Sequence, residues 1–320
     1  MSTNNTYAAT LLAATSYVTL SIDLITLIIG IVGCICNLIT FTAPQLRRNA
    51  CIFYLLCATV FQMVSILFII PNRLAANNFG SNFDPHSIIY CKIHYYLVIT
   101  LPESATFHIL LSIMDRCLAT STTARIRAWS DLKIAHRISA GIIIVIFITN
   151  IQLIIFYTIY NNNCQITPGG FELYFGAGFS FIVAIIIPYI LMFIFSLITY
   201  FQMKKTKRRI VPAPNILNQK QTNRFESQII RIIVLQVVVS ATLESLRLGS
   251  YAYSIFTSGN LTKTLTARVI ENFTVQFGVS IYFLSLGISF YVSTLTSKYF
   301  RDILKKRIVD LYNHYCRRQI

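Results

Sequence analysis

Apolar residues along the chain form seven long runs, and shorter polar stretches separate them. A helix needs about 20 mostly apolar residues to cross a bilayer, and each run reaches that length. The runs occupy 20–43, 51–71, 92–115, 138–160, 174–201, 228–256 and 272–296. The pattern therefore predicts an all-α membrane protein, a seven-transmembrane helix bundle without an internal repeat.

The composition agrees with a chain that is solvated mainly by lipid. Hydrophobic residues make up 55% of it, charged residues only 12%, and the mean hydropathy is +0.63. Ordinary soluble domains carry about a quarter of charged residues, and disordered chains have low hydrophobicity. The net charge of +16 is high, but a nucleic-acid-binding protein this basic would carry far more polar surface. We therefore predict no nucleic-acid partner.

Positive charge is distributed unevenly among the polar stretches. Of the 27 Lys and Arg residues, 21 fall on one side of the predicted membrane, in the segments 44–50, 115–137, 202–227 and 297–320. The loops of the opposite side hold Arg73, Lys263 and Arg268. Because basic residues concentrate in cytoplasmic loops, we predict a multi-pass plasma-membrane protein with an extracellular N-terminus and a cytoplasmic C-terminus.

This orientation divides the chain into three parts. Residues 1–19 form an extracellular tail, 20–296 the bundle, and 297–320 a short amphipathic cytoplasmic helix and tail. The basic cytoplasmic face suits anionic membrane lipids, which attract each basic residue near the surface by about 1 kcal/mol. Asn4 and Asn260 begin Asn-x-Thr sequons in outward segments, so both are glycosylation candidates.

Asp115-Arg116-Cys117 closes the third span at its cytoplasmic end. An Asp–Arg pair at the membrane boundary is costly unless the charges pair or face an aqueous cavity. Cys91 lies 25 residues before Arg116, which at 1.5 Å per residue is roughly 37 Å, one membrane crossing. Cys91 therefore lies at the outer end of the same helix. Cys164 falls in the next outward loop, where an oxidising compartment lets a disulfide persist.

Taken in order, these features resemble the rhodopsin-like G-protein-coupled receptors, in particular divergent invertebrate orphan receptors of that family. The resemblance covers roughly residues 20 to 310. The shared features are Asp115-Arg116-Cys117 in place of the family's Asp-Arg-Tyr, Cys91 with Cys164, Gly33, Asn37, Gln45-Leu46-Arg47-Arg48-Asn49, Pro188, Ile288-Ser289-Phe290-Tyr291 and the basic amphipathic stretch Lys298–Arg307. The resemblance implies a disulfide between Cys91 and Cys164.

The resemblance also implies signal transduction. An extracellular small molecule or short peptide changes the helix arrangement, and the new arrangement activates an intracellular heterotrimeric G protein. No cofactor is implied. Arg116 then acts as the G-protein switch, held at rest by Asp115, with Tyr291 at the inner end of the seventh span and Glu226 as a second resting-state partner. The alternative is that Asp115 and Arg116 only extend to the interface, and that Glu226 is a solvated surface charge.

The chain departs from the family at several positions. Gln62 replaces the Asp that holds a sodium ion in the second span, and the facing positions are Ala105 and Gly287. A hard cation needs several oxygen ligands, so we predict no metal site. The seventh span keeps only Tyr291 of its Asn-Pro and Tyr motif, and the sixth span lacks both Pro and Trp. The family's detailed activation mechanism therefore does not transfer.

Ionisable and aromatic residues inside the spans are candidates for a ligand pocket. Glu244 and Arg247, three residues apart in the sixth span, share a helix face and can pair. Intramembrane ionisable groups are functional candidates, although such a pair can also serve folding alone. Glu103 either accepts a hydrogen bond from a neighbouring helix or contacts ligand. The outer end of the third span adds three candidates, in a position equally typical of an interfacial aromatic belt: His94, Tyr95 and Val98.

Cys316, in the cytoplasmic tail, is either a palmitoylation candidate or a free thiol. The alternative function is that of a polytopic membrane transporter or channel. Transporters often show repeated halves and broken helices at the midplane, but Pro102 and Pro188 are not related by a repeat. Motifs such as His-Glu-x-x-His and Gly-x-Ser-x-Gly do not occur, so we expect no enzymatic activity.

Overall fold

The structure, a computed structural model, describes the backbone of residues 2–78, 87–167, 170–209, 216–257 and 263–318, and most side chains within those ranges. Helices dominate it. In chain order they are α1 (Ser2–Phe41), α2 (Ala50–Asn78), α3 (Ile88–Ala119), α4 (Ala124–Arg127), α5 (Leu132–Thr149), α6 (Ile151–Phe156), α7 (Phe171–Ser180), α8 (Ile187–Arg209), α9 (Ile216–Thr257), α10 (Leu265–Gly287), α11 (Ser289–Thr296) and α12 (Lys298–Arg318). A π-helical turn, Phe181–Ile186, joins α7 to α8.

Six stretches of the described chain are helical, long and apolar enough to cross a membrane. They are Thr6–Phe41, Ala50–Asn78, Ile88–Ala119, Leu132–Phe156, Phe171–Gln202 and Leu265–Gly287. The predicted sixth span, 228–256, lies within α9 and is not among these six; some of its side chains lie outside the described residues. The chain is a multi-pass membrane protein whose candidate spans are all helical.

Large apolar side chains cover the outward faces of the spans. Ile28 in α1 and Phe193 in α8 are well exposed, and Leu295 in α11 is 81% exposed. Extensive apolar surface of this kind is unfavourable in water, whereas lipid tails solvate it. Several polar side chains inside the spans form hydrogen bonds to the backbone of their own helix. The hydroxyls of Thr26 and Thr40 each donate to the carbonyl four residues earlier, at 2.7 Å.

Two apolar clusters form most of the buried core. The first joins α1, α2, α3, α8, α11 and α12, and the second joins α1, α2 and α10. In the first, the rings of Phe41 and Phe300 meet edge to face with centroids 5.6 Å apart. This contact seats the start of α12 against the end of α1, so the amphipathic helix is anchored to the bundle.

The fourth span begins and ends earlier than predicted, at Leu132 and Phe156. Its helix ends at Phe156, and residues 157–160 form the strand β1 (Tyr157–Tyr160), which pairs antiparallel with β2 (Asn163–Ile166). Asn161 and Asn162, which join the strands, both have positive φ. Such a two-residue turn matches the right-handed twist of a hairpin, and Asn tolerates the left-handed region. No charged residue or proline interrupts the run before the strand, so the run was predicted as one helix.

Several other boundaries also differ from the prediction. Helix α1 begins at Ser2, inside the predicted tail 1–19, where Ala and Leu favour helix. Helix α2 continues through Pro71 to Asn78, so Arg73 lies in a helix and not in a loop. The predicted seventh span, 272–296, corresponds to a helix that begins at Leu265 and is interrupted at Ile288, which separates α10 from α11.

Glycines allow α1 and α10 to approach closely. A Cβ atom added to Gly287 would lie 3.0 Å from the Cα atom of Gly30. A Cβ added to Gly33 would lie 3.0 Å from the Gly287 carbonyl oxygen and 3.3 Å from the Tyr291 ring. Since neither backbone can yield without moving its helix, these glycines determine how closely the two helices pack.

Candidate functional site

Asp115 and Arg116 form a buried ion pair at the end of α3. The Arg116 Nη2 atom lies 3.0 Å from the Asp115 Oδ2 atom, and the two side chains are only 6% and 4% exposed. The Ser130 hydroxyl donates to Asp115 Oδ1 at 2.7 Å, and Arg116 Nη2 also donates to Asn49 Oδ1 at 2.6 Å. The predicted pairing of Asp115 with Arg116 is present, within a cluster of four polar side chains.

Two loops position this cluster. Asn49 precedes α2, and its Oδ1 atom also accepts a hydrogen bond from the Cys51 backbone N–H at 3.0 Å. Ser130 precedes α5, whose first turn is capped by the Asp131 side chain. Because each loop contributes one partner, the pair links α3 to both neighbouring helices. Sequence reasoning missed Asn49 and Ser130 as partners, since isolated polar residues in loops carry no periodic signal.

Other predicted residues of the switch are less closely connected. The Tyr291 hydroxyl donates to the Ile29 carbonyl at 3.2 Å, so this side chain packs against α1. The backbone of Glu226 lies in α9, and that of Cys316 in α12, but their side chains lie outside the described residues. The glycosylation candidates are similar: Asn260 lies outside the described residues, and so does the side chain of Asn4.

The predicted disulfide is present at the opposite end of α3. Cys91 and Cys164 are bonded with their Cα atoms 5.7 Å apart, and both are buried. The bridge joins α3 to β2, and the Tyr95 ring stacks on Tyr157 of β1 with centroids 4.4 Å apart. Burial beside Tyr251 and Tyr95 raises the pKa of the Tyr157 phenol well above its ordinary value, which keeps it neutral. The hairpin is therefore fixed to the end of α3 by a covalent bond and a ring stack.

Glu244 and Arg247 form a second ion pair, on one face of α9. The Arg247 Nε atom donates to Glu244 Oε1 at 3.0 Å, and Nη2 donates to the same oxygen. Glu244 is 4% exposed and Arg247 25% exposed, measured on their side chains. The Arg247 guanidinium lies 4.3 Å from the centroid of the Tyr282 ring of α10, a cation–π contact. The predicted i, i+3 pairing is confirmed.

The remaining pocket candidates lie in two separate parts of the helix bundle. Glu103 accepts a hydrogen bond from the Asn150 side chain at 2.6 Å, which is the predicted bond from a neighbouring helix. The ring of His94 meets that of Phe68 in α2, and Val98 packs against the apolar cluster of α1, α2 and α10. His94, Tyr95 and Val98 therefore contribute to packing around the Cys91 end of α3.

A third buried ion pair was missed by sequence reasoning. Arg73 of α2 lies 3.4 Å from Asp23 of α1, with its Nε atom toward Asp23 Oδ2. Its Nη2 atom donates to the Ser280 hydroxyl at 3.1 Å, and its guanidinium lies 5.7 Å from the Phe283 ring centroid, both in α10. Asp23 lies within an apolar run, and a charged residue in such a run needs a partner. This was the signal in the sequence from which a pair could have been predicted.

Polar side chains also meet at the interruption of the seventh span. Gln236 of α9 donates to the Ser289 hydroxyl at 3.0 Å, directly after the break at Ile288. A cavity of about 20 Å³ lies beside them, and Gln62 also lines it. That volume holds about one water molecule. The interruption is thus connected to α9 by a side-chain hydrogen bond.

Comparison with known proteins identifies no relative: no protein-family model matches the chain, and no curated protein matches it significantly.

Proposed function

We propose that the chain is a rhodopsin-like G-protein-coupled receptor of the plasma membrane, with seven spans, an extracellular N-terminus and a cytoplasmic C-terminus. An extracellular small molecule or short peptide binds within the bundle, and a heterotrimeric G protein binds at the cytoplasmic ends of the helices. Helix α9 supplies the sixth span. At 42 residues it is roughly 63 Å long, about twice the thickness of the hydrocarbon core, and its Glu244–Arg247 pair offsets the cost of both charges.

One observation carries the proposal: α3 has a disulfide at one end and a buried Asp–Arg pair at the other. The bridge at Cys91 requires an oxidising compartment, whereas Arg116 lies 25 residues further, roughly one membrane thickness away. The buried pair therefore belongs to the opposite, cytoplasmic side. This is also the side on which Lys and Arg concentrate.

Arg116 is suited to act as a two-state switch. In the described arrangement its guanidinium is held by the Asp115 carboxylate and the Asn49 carboxamide, and both bonds are buried or partly buried. Leaving a buried charge without a partner is strongly unfavourable. Arg116 can leave these partners only if another arrangement supplies replacements, such as the backbone carbonyls of a bound G protein. A ligand shifts this equilibrium only through its different affinities for the two arrangements.

The proposal is tested in cells that express promiscuous G proteins, with a panel of small molecules and short peptides. We expect at least one compound to elicit a response that Arg116→Ala abolishes at equal surface expression. Arg125→Ala is the matched control, because Arg125 is an exposed cytoplasmic-side arginine, and it should respond as the unmodified chain does. A ligand response retained in Arg116→Ala would contradict the switch. Substrate flux through proteoliposomes without any G protein would favour a transporter.

A further inference from the structure

The Glu244–Arg247 pair uses only part of its bonding capacity. Both donating nitrogens of Arg247 bind the same oxygen, Glu244 Oε1. The other carboxylate oxygen, Oε2, is buried and has no hydrogen-bond partner among the described residues. Burial of a charged oxygen without a donor is unfavourable. The unpartnered oxygen therefore marks a position where a donor from outside the chain would be stabilised.

Within the described part of the chain, Arg247 provides unused hydrogen-bond donors beside the unpartnered acceptor oxygen of Glu244. Guanidinium has five N–H donors in a planar fork, and Nη1 makes no hydrogen bond to the part of the chain that the structure describes. The side chain is a quarter exposed, so a small molecule can reach it. Contact with the Tyr282 ring holds the plane of the fork, and such preorganisation lowers the entropy cost of binding an acceptor.

A small cavity lies about one turn of α9 from the pair, and neither Glu244 nor Arg247 is among its lining residues. The cavity, of about 20 Å³, is lined in part by Tyr189, Ser240 and Tyr282. Ser240 lies one helical turn before Glu244 on the same face of α9, and Tyr282 is the ring that contacts Arg247. The interior about one turn from the pair is therefore incompletely packed, with a few hydroxyl groups in a mainly apolar lining.

From this arrangement we infer that Glu244 and Arg247 bind a small zwitterion, an ammonium donating to Glu244 Oε2 and a carboxylate accepting from Arg247. A ligand with a single charge would satisfy one member of the pair and oppose the other at close range, which is costly in a medium of low dielectric constant. A ligand with both charges pairs each of them. The binding of a zwitterion at this pair does not depend on the proposed receptor function. The inference rests on that function only where it makes this ligand the signal that the receptor detects.

The spacing of the ligand's charges follows from the site. Because Glu244 and Arg247 are in direct contact, their free donor and acceptor atoms lie close together. A ligand whose ammonium and carboxylate are separated by one carbon, as in an α-amino acid, fits this spacing. A ligand whose charges stand at the two ends of a long chain does not.

The test is thermal unfolding of the purified full chain in phosphatidylcholine nanodiscs, with each of the twenty free amino acids and norleucine as probes. We expect at least one α-amino acid to raise the unfolding midpoint with saturation. Its amine and carboxylic-acid analogues, each lacking the other charge, should not. The isomers norleucine and 6-aminohexanoic acid isolate the spacing, and only norleucine should stabilise. The absence of stabilisation by any amino acid, or equal stabilisation by the single-charge analogues, would overturn the inference.

Variants assign the effect to the pair. Glu244→Gln should weaken the apparent affinity at least tenfold. Glu172→Gln, which alters an exposed acid in the first turn of α7, should leave the affinity unchanged. The double variant Glu244→Gln, Arg247→Gln replaces both charges with amides that can bond to each other, so it remains informative if a single variant fails to fold. Retained binding in the double variant would refute the site. Binding of amino acids by a chain that gives no G-protein response to any compound of the panel would instead contradict the receptor function and leave this inference standing.

Discussion

The guanidinium of Arg73 in α2 lies 3.4 Å from the carboxylate of Asp23 in α1, and Asp23 is completely buried. The same guanidinium contacts Ser280 and Phe283 of α10, while Arg247 of α9 lies over Tyr282, the residue beside Phe283. Helix α10 is therefore held between two arginines, each paired with a buried acid. Both ion pairs lie within helices, where an unpaired charge is expensive.

Arg73→Met should lower the free energy of unfolding by about 3–5 kcal/mol, because it leaves the Asp23 charge buried without a partner. The double variant Asp23→Leu, Arg73→Met removes both charges and should be more stable than Arg73→Met alone. Chemical unfolding in nanodiscs measures the difference. Arg268→Met, an exposed arginine of α10, is the control and should change stability by less than about 0.5 kcal/mol. A double variant as unstable as the single one would contradict the pairing.

Cys91→Ser with Cys164→Ser should reduce stability by about 2–4 kcal/mol, since the bridge closes a long loop in the unfolded chain. The two cysteines are 73 residues apart in sequence. Thermal unfolding of the double variant and of the reduced unmodified chain should give similar midpoints, both below that of the oxidised chain. Cys36→Ser, which alters a partly buried cysteine of α1 outside the bridge, serves as the control. Equal midpoints with and without the bridge would contradict a stabilising role.

The position of Cys91 and the Asp115–Arg116 pair could be predicted because their signals are local or depend only on helix length, whereas the bridge to Cys164 was implied by the family resemblance. Asp115 and Arg116 are adjacent, and Cys91 is placed by counting along one helix. The Glu244–Arg247 contact was predictable for the same reason, since residues three apart share a helix face. In each case the residues lie on one helix, so the helix itself determines their relative positions.

Apart from the bridge that the resemblance implied, the partners in contacts between distant elements could not be predicted. Arg73 follows Pro71, so the apolar run alone ends the second span too early, whereas the helix continues and Arg73 reaches Asp23, 50 residues before it. Asn49 reaches Arg116 across 67 residues. The hairpin was missed because no charged residue or proline separates Tyr157–Tyr160 from the apolar run before it. Hydropathy measures solvent preference, and strand pairing depends on the turn at Asn161 and Asn162.

Gly287→Ala should destabilise the bundle, because its Cβ atom would lie 3.0 Å from the Cα atom of Gly30, in a helix backbone that cannot rotate away. Overpacking of this kind costs about 1–3 kcal/mol. Gly141→Ala is the matched control, since a Cβ there meets nothing within 4 Å, and Ala is favoured over Gly in a helix by about 1 kcal/mol. The two substitutions should therefore shift the unfolding midpoint in opposite directions. A stabilising Gly287→Ala would show that α1 and α10 are not in close contact.

Asn49→Ala should raise ligand-independent signalling if Arg116 is the proposed switch. The Asn49 carboxamide accepts a 2.6 Å hydrogen bond from Arg116, and nothing in the proposed active arrangement requires it. A hydrogen bond to a charged group contributes about 1.5–3 kcal/mol, so its loss from the resting state alone should shift the equilibrium about 10- to 150-fold toward activity. The measurement is basal G-protein activation at matched surface expression. Gln45→Ala, an exposed amide in the same loop, should leave basal activity unchanged. Unchanged basal activity in Asn49→Ala, with Arg116→Ala inactive, would show that Arg116 signals without being released from Asn49.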